Sequence, residues 1–346
     1  MMLRFECDYT EGCIPEILDA IAKENHTQLC GYSEDPICDR ARNRIKALCG
    51  GEDVDVHFLV GGTQANTVAI ASALRPYQGV ISADPGHINC HETGAIEATG
   101  HKVLALPSAT GRLSAEQIDR YCAAHWADAT HEHIVQPGMV YLSHPAENGT
   151  LYTLRELEHI RAACDKWNLI LFVDGARLGY GLASPVNDVT VADLARLTDI
   201  FYIGGTKVGA LFGEAMVIRN NSLKKDFRYL IKRQGGMLAK GWLLGLQFDT
   251  LFEEDRYFHA AEKAVMQALC IKEAFEKKGC AFLIESHTNQ QFPILHRDIL
   301  KKFDEHYTYS VWEQVDDDHT AVRFCTSWAT TDEQVDTLVK DIDRYL

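Results

Sequence analysis

Two chemically capable side chains follow directly after apolar segments of this sequence. Lys207 comes shortly after the apolar residues 201–203, within a turn of small residues. A lysine in that place is partly removed from water, which lowers its pKa and makes a neutral amine available to form a Schiff base. Asp174 follows five apolar residues at 169–173, and a buried carboxylate needs a positive charge to offset its desolvation. A cationic ligand group or Arg177 could supply that charge. An ordinary ion pair and a surface lysine are the simpler alternatives.

A glycine turn and a histidine follow two earlier apolar segments. Gly62 and Thr63 open a predicted helix whose free N–H groups would bind a phosphate, although a plain tight turn has the same pattern. Thr206 could add a hydroxyl to that phosphate. His87 lies in a loop where its flat ring could stack on an aromatic ligand or simply face solvent. His91 follows four residues later, but the order HExxH is absent, so we expect no metal site.

Together these features match the needs of one cofactor, pyridoxal 5′-phosphate (PLP). Its phosphate needs a helix N-terminus, its ring a stacking partner, its pyridine nitrogen a carboxylate and its aldehyde a lysine. Asp174 would keep the nitrogen protonated, so that the ring accepts the electron pair released when a bond at the substrate Cα breaks. The phosphate turn, His87, Asp174 and Lys207 occur in this order along the chain. The sequence therefore predicts a PLP-dependent enzyme.

The elements that must position these residues alternate along the chain. Apolar, strand-like segments are separated by helical patterns between residues 50 and 235. The strand-bearing segments are 54–60, 79–86, 101–108, 137–150, 168–177, 198–207 and 215–220. Such alternation is typical of an α/β fold with a mostly parallel sheet covered on both faces. Ligands bind at the carboxyl ends of the strands in such folds, and the candidate residues lie there.

The pattern changes near residue 240. A long helical stretch at 242–279 leads into short strand-like segments and a terminal helix, which predicts a smaller C-terminal α+β domain. We therefore predict a large domain at 1–239, with residues 1–15 as a candidate N-terminal arm, and a small domain at 240–346.

Composition excludes several classes of protein. The 346 residues include 34 Lys and Arg against 49 Asp and Glu, a net charge of −15, which would repel nucleic acid and anionic lipid. No apolar run approaches the roughly 18 residues of a membrane span, and the N-terminus lacks the apolar region of a signal peptide. The 11 cysteines are scattered and odd in number, which favours reduced thiols. We expect a cytoplasmic enzyme with a small-molecule substrate and no nucleic-acid or membrane partner.

Nearly the whole chain resembles the threonine aldolase / β-eliminating lyase family of fold-type-I PLP enzymes. The segment GGTQAN at 61–66 is similar to the family's S-G-T-x-x-N phosphate turn, and DGAR at 174–177 matches its D-G-A-R. Lys207 occupies the position of the family's Schiff-base lysine, after a small hydroxyl residue. The segment YSEDP at 32–36 resembles the family's Y-G-D-D-P near the active-site entrance. The resemblance implies an aspartate aminotransferase-like large domain.

The resemblance also implies roles for the candidate residues. The catalytic residues would be Lys207 and His87. The cofactor-binding residues would be Gly62, Thr63, His87, Asp174, Arg177, Thr206 and Lys207. The substrate-binding residues would be Asp8, Tyr32, Glu147, Arg177 and Arg323, with the two arginines on the α-carboxylate because guanidinium groups bind it in a planar, bidentate way. Family members form homodimers or homotetramers with active sites at subunit boundaries, so we expect such an oligomer.

The chain departs from the family pattern near the substrate. Typical threonine aldolases have S-D-T where this chain has CDY at 7–9. The histidine of the family's E-N-T-H-N-G segment is replaced by Glu147, and His144 lies three residues earlier. A family arginine after G-G-M is replaced by Leu238, close to Lys240. These changes leave the predicted cofactor-binding residues intact. They alter residues near the hydroxyl group of the substrate and near the phosphate of the cofactor.

Three functions follow in order of preference. The first is a PLP-dependent aldolase that cleaves L-threonine, L-allo-threonine or a related L-β-hydroxy-α-amino acid to glycine and an aldehyde. Its base could be His87, His144, Glu147 or an ordered water. The second, suggested by the altered loop at 144–149, is β-elimination or an aldolase for aryl-serine substrates. The third is a binding or regulatory protein on a decayed PLP fold, or an NAD-type doubly wound protein. The intact set of Lys207, Asp174 and Arg177 disfavours a decayed fold, and the missing G-x-G-x-x-G disfavours an NAD-type protein.

Overall fold

The structure, a computed structural model, describes residues 2–346. Its strands are β1 (Leu3–Arg4), β2 (Asp55–Leu59), β3 (Gln78–Ala83), β4 (Val103–Leu106), β5 (Gln136–Ser143), β6 (Ile170–Asp174), β7 (Ile200–Gly204), β8 (Glu214–Ile218), β9 (Gln290–Gln291), β10 (Ile294–His296), β11 (Tyr307–Thr308), β12 (Ser310–Gln314) and β13 (His319–Cys325). Its α-helices are α1 (Pro15–Glu24), α2 (Pro36–Leu48), α3 (Gly62–Ala73), α4 (His87–Cys90), α5 (Ala95–Ala98), α6 (Ala115–Ala127), α7 (Leu154–Trp167), α8 (Leu178–Leu182), α9 (Val191–Leu197), α10 (Asn221–Lys224), α11 (Phe227–Arg233), α12 (Trp242–Leu251), α13 (Arg256–Lys277), α14 (Arg297–Phe303) and α15 (Asp332–Tyr345).

Seven strands form the central sheet, in the order β2-β8-β7-β6-β5-β3-β4. Neighbours from β7 to β4 are parallel, whereas β8 runs antiparallel to both β2 and β7. Each strand predicted between residues 50 and 235 is present, with helices between most of them, so the expected α/β fold with a mostly parallel sheet is confirmed. Because of these directions, the carboxyl ends of β2, β3, β5, β6 and β7 lie at the edge where β8 begins.

Helices cover both faces of this sheet. Successive residues of a strand point to opposite faces, and β5 illustrates this. Val140 and Leu142 belong to the core that contains residues of α6 and α7, while Tyr141 belongs to the core that contains residues of α3 and α11. The sheet is therefore apolar on both sides, which explains why its strands are nearly continuous apolar runs.

Polar side chains fix where several connecting helices begin. Ser114, Thr153 and Thr190 are the N-cap residues of α6, α7 and α9, and each forms a capping box with the residue three positions later. Such a cap stabilises a helix by about 1 kcal/mol because it satisfies N–H groups that have no partner within the helix. The caps therefore help to define the short loops that connect strands and helices.

The helical stretch predicted at 242–279 is two helices in the structure. Glu254 and Asp255, between α12 and α13, have left-handed backbone conformations with φ of 52° and 55°. A right-handed helix does not continue through such residues, and the composition of this acidic segment did not reveal them. No helix within residues 2–346 is both long and apolar enough to cross a membrane.

A separate apolar core lies in the C-terminal part of the chain. It contains Phe275, Leu295, Phe324 and Leu338, together with Phe5 from the N-terminal segment. There β1 pairs in parallel with β11, and β10, β13 and β12 form an antiparallel sheet.

Helix α12 packs in the core of the central sheet, and α13 contributes both to that core and to the C-terminal one. The predicted division between residues 239 and 240 and the predicted N-terminal arm stay predictions. Helix α13 therefore connects the two cores.

Candidate active site

A cavity of about 770 Å³ opens at the edge of the sheet where the carboxyl ends of the parallel strands meet. Most of the candidate residues from the sequence line it. They are Gly62, Thr63, His87, Glu147, Asp174, Arg177, Thr206, Lys207 and Arg323. Asp8 lies directly behind the cavity against Arg177, whereas Tyr32 is not among the lining residues. The C-terminal part of the chain closes the cavity with Arg323 and Trp312.

Asp174 ends β6 as a buried carboxylate with four hydrogen-bond donors. Its Oδ1 accepts from the Tyr202 hydroxyl and from the backbone N–H of Ala176. Its Oδ2 accepts from the Tyr141 hydroxyl at 2.7 Å and from Asn66 Nδ2 at 3.1 Å. Burial and the charge of Asp174 raise the pKa of both tyrosines well above the usual value, so they remain neutral donors. The carboxylate is therefore held in a fixed orientation.

Lys207 lies in the turn that follows β7. Burial of its amine, together with the nearby positive charge of Arg177, lowers its pKa. The Tyr180 hydroxyl donates a 2.6 Å hydrogen bond to the carbonyl oxygen of Lys207 and fixes the backbone there. A lysine with a lowered pKa has a larger neutral fraction and can act as a nucleophile toward a carbonyl carbon. The lowered pKa agrees with the expectation from the sequence that a lysine shortly after an apolar strand is partly removed from water.

The glycine turn at the start of α3 presents backbone donors to the cavity. Gly61 is the N-cap residue and provides no side-chain cap, and the first turn contains Gly62 and Thr63. A Cβ atom at Gly62 would lie only 3.1 Å from the Tyr202 hydroxyl oxygen, so a side chain there would crowd the wall of the cavity. Free N–H groups at the N-terminus of a helix of 12 residues favour an anion.

His87 is tied to the same polar network as Asp174. Its Nδ1 lies 2.8 Å from Oε1 of Glu92, and that oxygen also accepts from Asn66 Nδ2 at 2.7 Å. Burial opposes protonation of the His87 ring, but the hydrogen bond to Glu92 and the charge of Asp174 outweigh it and raise its pKa. Asn66 therefore links the two carboxylates and couples the histidine to Asp174.

Arg177 forms a bidentate ion pair with Asp8. Its Nε and Nη2 donate to the two carboxylate oxygens at 2.7 and 3.0 Å, and Asn289 Nδ2 donates to Asp8 as well. Burial disfavours the Asp8 carboxylate, but the charges of Arg177 and Lys207 outweigh it and lower its pKa to about 2. Asp8, and not Asp174, is the ion-pair partner of Arg177, so the simple Asp174–Arg177 pair considered from the sequence is wrong.

Arg323 enters the cavity from the C-terminal part of the chain. Its Nη1 donates to Gln290 Oε1 at 3.1 Å, and its Nη2 donates to the carbonyl oxygen of Glu6 at 2.7 Å. The guanidinium carbon lies 5.4 Å from the centre of the Trp312 ring, a distance that allows a cation–π contact. Arg323 and Arg177 thus place two guanidinium groups in the lining of one cavity.

Of the two remaining base candidates near 144–149, only Glu147 reaches the cavity. Its Oε1 accepts from the Ser143 hydroxyl at 2.6 Å and from the backbone N–H of His87 at 2.9 Å. Burial and the nearby charge of Asp174 raise its pKa, although the bond from Ser143 opposes this. His144 is fully buried, does not line the cavity, and has a pKa lowered to about 4 by burial.

Two predicted residues have surroundings that the sequence did not indicate. Thr206 donates its hydroxyl hydrogen bond to Glu214 Oε1 at 2.9 Å. Tyr32 is 45% exposed, and the Lys232 ammonium lies 4.9 Å from the centre of its ring. Their predicted roles toward phosphate and substrate stay predictions.

Sequence reasoning missed several polar residues of the site: Asn66, Glu92, Tyr141, Tyr202 and Glu214. Each is buried. For four of them the available signal was a polar group within an otherwise apolar strand or within the first turns of a helix, because such a group requires a partner when buried. Glu92 lies in the loop between α4 and α5 and had no such signal.

Comparison with known proteins agrees with this fold and site. The family model described as beta-eliminating lyase matches residues 8–297. A low-specificity L-threonine aldolase from Pseudomonas aeruginosa is 28% identical over 346 aligned positions, covering 98% of this chain and 96% of the relative. The structure of a threonine aldolase from Leishmania major is 44% identical, with a TM-score of 0.96 and 99% coverage of both chains. A Thermus thermophilus aspartate aminotransferase, only 14% identical, has the same fold with a TM-score of 0.71.

The chain belongs to the beta-eliminating lyase family. Its fold is that of the aspartate aminotransferase-like, fold-type-I enzymes. The resemblance to threonine aldolases that the motifs indicated is confirmed, as is the expectation that the protein is a lyase.

Proposed function

We propose that this protein is a PLP-dependent aldolase that cleaves L-threonine, L-allo-threonine or a related L-β-hydroxy-α-amino acid to glycine and an aldehyde. The observation that supports this most directly is that a lysine with a lowered pKa, a buried carboxylate and two guanidinium groups line one cavity. Relatives described as threonine aldolases over the full chain length support the same reaction. Bound PLP supplies a ring that accepts the electron pair released at the substrate Cα.

The residues of the cavity fit this cofactor. Lys207 offers an amine for the aldehyde, and Asp174 offers an oriented carboxylate for the pyridine nitrogen. The first turn of α3, at Gly62 and Thr63, offers N–H groups for the phosphate. His87 lines the cavity, where its flat ring can contact the cofactor ring. The set therefore provides one partner for each polar part of PLP.

Two arginines would hold the substrate carboxylate. Asp8 engages the Nε and Nη2 side of Arg177, which leaves the Nη1 side for the substrate. Arg323 is fixed by Glu6 and Gln290 and has a buried Nε without a hydrogen-bond partner among the described residues. Because the donors are held by their neighbours, little side-chain entropy is lost when a carboxylate binds.

Glu147 is our choice for the group that accepts the proton of the β-hydroxyl when the Cα–Cβ bond breaks and the aldehyde leaves. It lines the cavity, and its raised pKa makes its carboxylate a stronger base than a solvated one. Ser143 and the backbone of His87 orient Oε1, so Oε2 is the oxygen that would take the proton. His144 is unsuited because it is buried outside the cavity.

The test is direct assay of the purified protein with PLP. We expect L-threonine or L-allo-threonine to yield equal amounts of glycine and acetaldehyde. We also expect a visible absorbance band that borohydride removes and that Lys207→Ala lacks. Formation of pyruvate and ammonia from L-serine, without cleavage of either threonine isomer, would indicate β-elimination instead. Absence of the band after incubation with PLP would refute both enzyme functions.

The assembly and compartment are part of the proposal. A homodimer or homotetramer with sites near subunit boundaries would give Tyr32 a role in a neighbouring site, since it is 45% exposed and is not among the residues lining the cavity of its own chain. Light scattering during gel filtration would measure the mass.

The net charge of −15 and the scattered cysteines agree with a cytoplasmic enzyme that has no nucleic-acid or membrane partner.

A further inference from the structure

Glu214 is a buried carboxyl group at the centre of the site. It is the first residue of β8, where it pairs with Leu59 on one side and Gly204 on the other. Those two residues end β2 and β7, which lead into the glycine turn and into the turn of Lys207. Glu214 is 3% exposed and lines the cavity. It therefore lies between the N-terminus of α3 and the lysine.

Both oxygens of Glu214 already accept hydrogen bonds from neutral donors. The Thr206 hydroxyl donates to Oε1 at 2.9 Å, and the backbone N–H of Gly205 donates to Oε2 at 3.2 Å. Thr206 is fixed in turn, because its oxygen accepts from the N–H of Gly213 at 3.0 Å. Within residues 2–346, Glu214 has no salt bridge to neutralise an ionised carboxylate.

The charges around Glu214 act in opposite directions. Burial, together with the negative charge of Asp174, raises its pKa, Lys207 and Thr206 act against this, and the net result is a pKa of about 8. The nearby phenols of Tyr202 and Tyr257 have raised pKa values, mainly through burial, and remain neutral. The remaining charge that varies with pH beside Glu214 is that of Lys207.

We propose that Glu214 is a protonated carboxylic acid that donates a hydrogen bond to the phosphate of the cofactor, so that cofactor binding requires one proton on this side chain. This inference rests on the proposed function, because it assumes that PLP occupies the cavity. An ionised carboxylate would repel a phosphate dianion in a site with little water. A neutral acid can instead accept from Thr206 at Oε1 and carry its proton on Oε2, which donates to the phosphate while it still accepts from the backbone N–H of Gly205. Thr206 thus orients the acid, and the acid contacts the phosphate.

The proposal predicts how affinity depends on pH. Below pH 8 the free protein holds the proton, and binding requires none from solution. Above pH 8 each binding event must take up a proton, so the dissociation constant rises. Between pH 7 and pH 9 the ionisation of Glu214 should by itself increase the dissociation constant about tenfold. The phosphate monoester, with a second pKa of about 6, stays a dianion throughout, and the pH dependence that arises from the pyridine nitrogen of the ligand is shared by a variant that lacks Glu214.

Pyridoxamine 5′-phosphate is a suitable probe, because it lacks the aldehyde and cannot react with Lys207. Its dissociation constant would be measured on the full chain freed of cofactor, by equilibrium dialysis from pH 6.5 to 9.5. The matched variant is Glu214→Gln, which has nearly the same shape and a neutral amide donor at every pH. We expect similar affinity to wild type at pH 7 and about tenfold tighter binding than wild type at pH 9.

Two further measurements keep the inference falsifiable. Thr206→Val retains the acid but removes a hydrogen bond that lowers its pKa, so the affinity should still fall with rising pH and the fall should begin at a higher pH than in wild type. Calorimetry at pH 9 in buffers of different ionisation enthalpy should show that wild type takes up close to one proton more for each pyridoxamine phosphate bound than Glu214→Gln does, because any proton taken up by the pyridine nitrogen of the ligand is common to both proteins.

Each outcome has a distinct meaning. Equal pH profiles for wild type and Glu214→Gln, or equal proton uptake by the two proteins at pH 9, would overturn the role of Glu214 and leave the proposed function intact. Failure of wild type to bind both PLP and pyridoxamine phosphate at every pH would overturn the proposed function and this inference with it.

Discussion

Replacement of Asp8 with asparagine tests how the site holds Arg177. The substitution keeps the size of the side chain and removes its charge. Asp8 is fully buried, and it accepts two hydrogen bonds from Arg177 and one from Asn289. After the change, the Arg177 guanidinium is buried beside a neutral amide, and an amide cannot accept both of its N–H groups in the same plane.

The magnitude follows from the pKa of Asp8, which falls from 3.8 to about 2 because the charges of Arg177 and Lys207 outweigh the effect of burial. At about 1.4 kcal/mol for each tenfold change, the ionised form is favoured by about 2.5 kcal/mol in the folded protein. Since the pKa is lowered on folding, this stability is present above pH 3.8 and is lost as the pH falls toward 2. We expect Asp8→Asn to lower the free energy of unfolding at pH 7 by about 2 to 3 kcal/mol.

Urea unfolding with and without PLP would measure this loss, and steady-state kinetics would measure its effect on substrate. Because Arg177 loses its orientation, KM for threonine should rise by about tenfold or more. Asp317→Asn, at an exposed position, is the control and should change neither quantity. An Asp8→Asn variant whose unfolding free energy stays within 0.5 kcal/mol of wild type and whose KM is unchanged would refute the role given to this ion pair.

Three other substitutions test neighbouring parts of the site. Tyr141→Phe removes one donor to Asp174 and should weaken PLP binding about tenfold in equilibrium dialysis without unfolding the protein, since hydrogen bonds to charged groups contribute about 1.5 to 3 kcal/mol. Glu147→Gln should lower kcat for threonine at least 100-fold while the PLP spectrum is retained; an unchanged kcat would exclude it as the base. His144→Asn should reduce acid sensitivity, because the pKa of His144 falls from 6.5 to about 4 on burial and wild type therefore loses stability as the pH falls between these values. The urea midpoint of each protein would be measured at pH 7, 6 and 4.5. If the midpoint falls from its pH 7 value by the same amount in the variant and in wild type, the prediction is wrong.

The sequence was sufficient to place residues that follow the ends of strands. His87, Asp174 and Lys207 each come shortly after an apolar run, and parallel strands bring their carboxyl ends to one edge. The glycine turn at 61–62 could be placed for the same reason, because it comes shortly after β2. For these residues, position in the chain determines position in the fold once the architecture is known.

Contacts between distant parts of the chain could not be predicted in the same way. Asp8 and Arg177 are 169 residues apart, and Tyr141 and Asp174 are 33 apart. No periodic pattern links such partners. Glu214 was missed for a related reason: it begins an antiparallel strand, so its position at the site depends on the direction of β8 relative to its neighbours. An acidic residue at the start of a buried strand was the only signal in the sequence.

The pairing of the N-terminal segment with the C-terminal part of the chain has a consequence for biosynthesis. β1 pairs with β11, and Asp8 bonds to Asn289, which is 281 residues further along. During synthesis the N-terminal segment leaves the ribosome first, and its pairing partners are synthesised only after most of the chain has been made. The central sheet and Lys207 are made well before that moment. A chain released before residue 289 would therefore contain the reactive lysine but could not fix Asp8 against Arg177 in its final position.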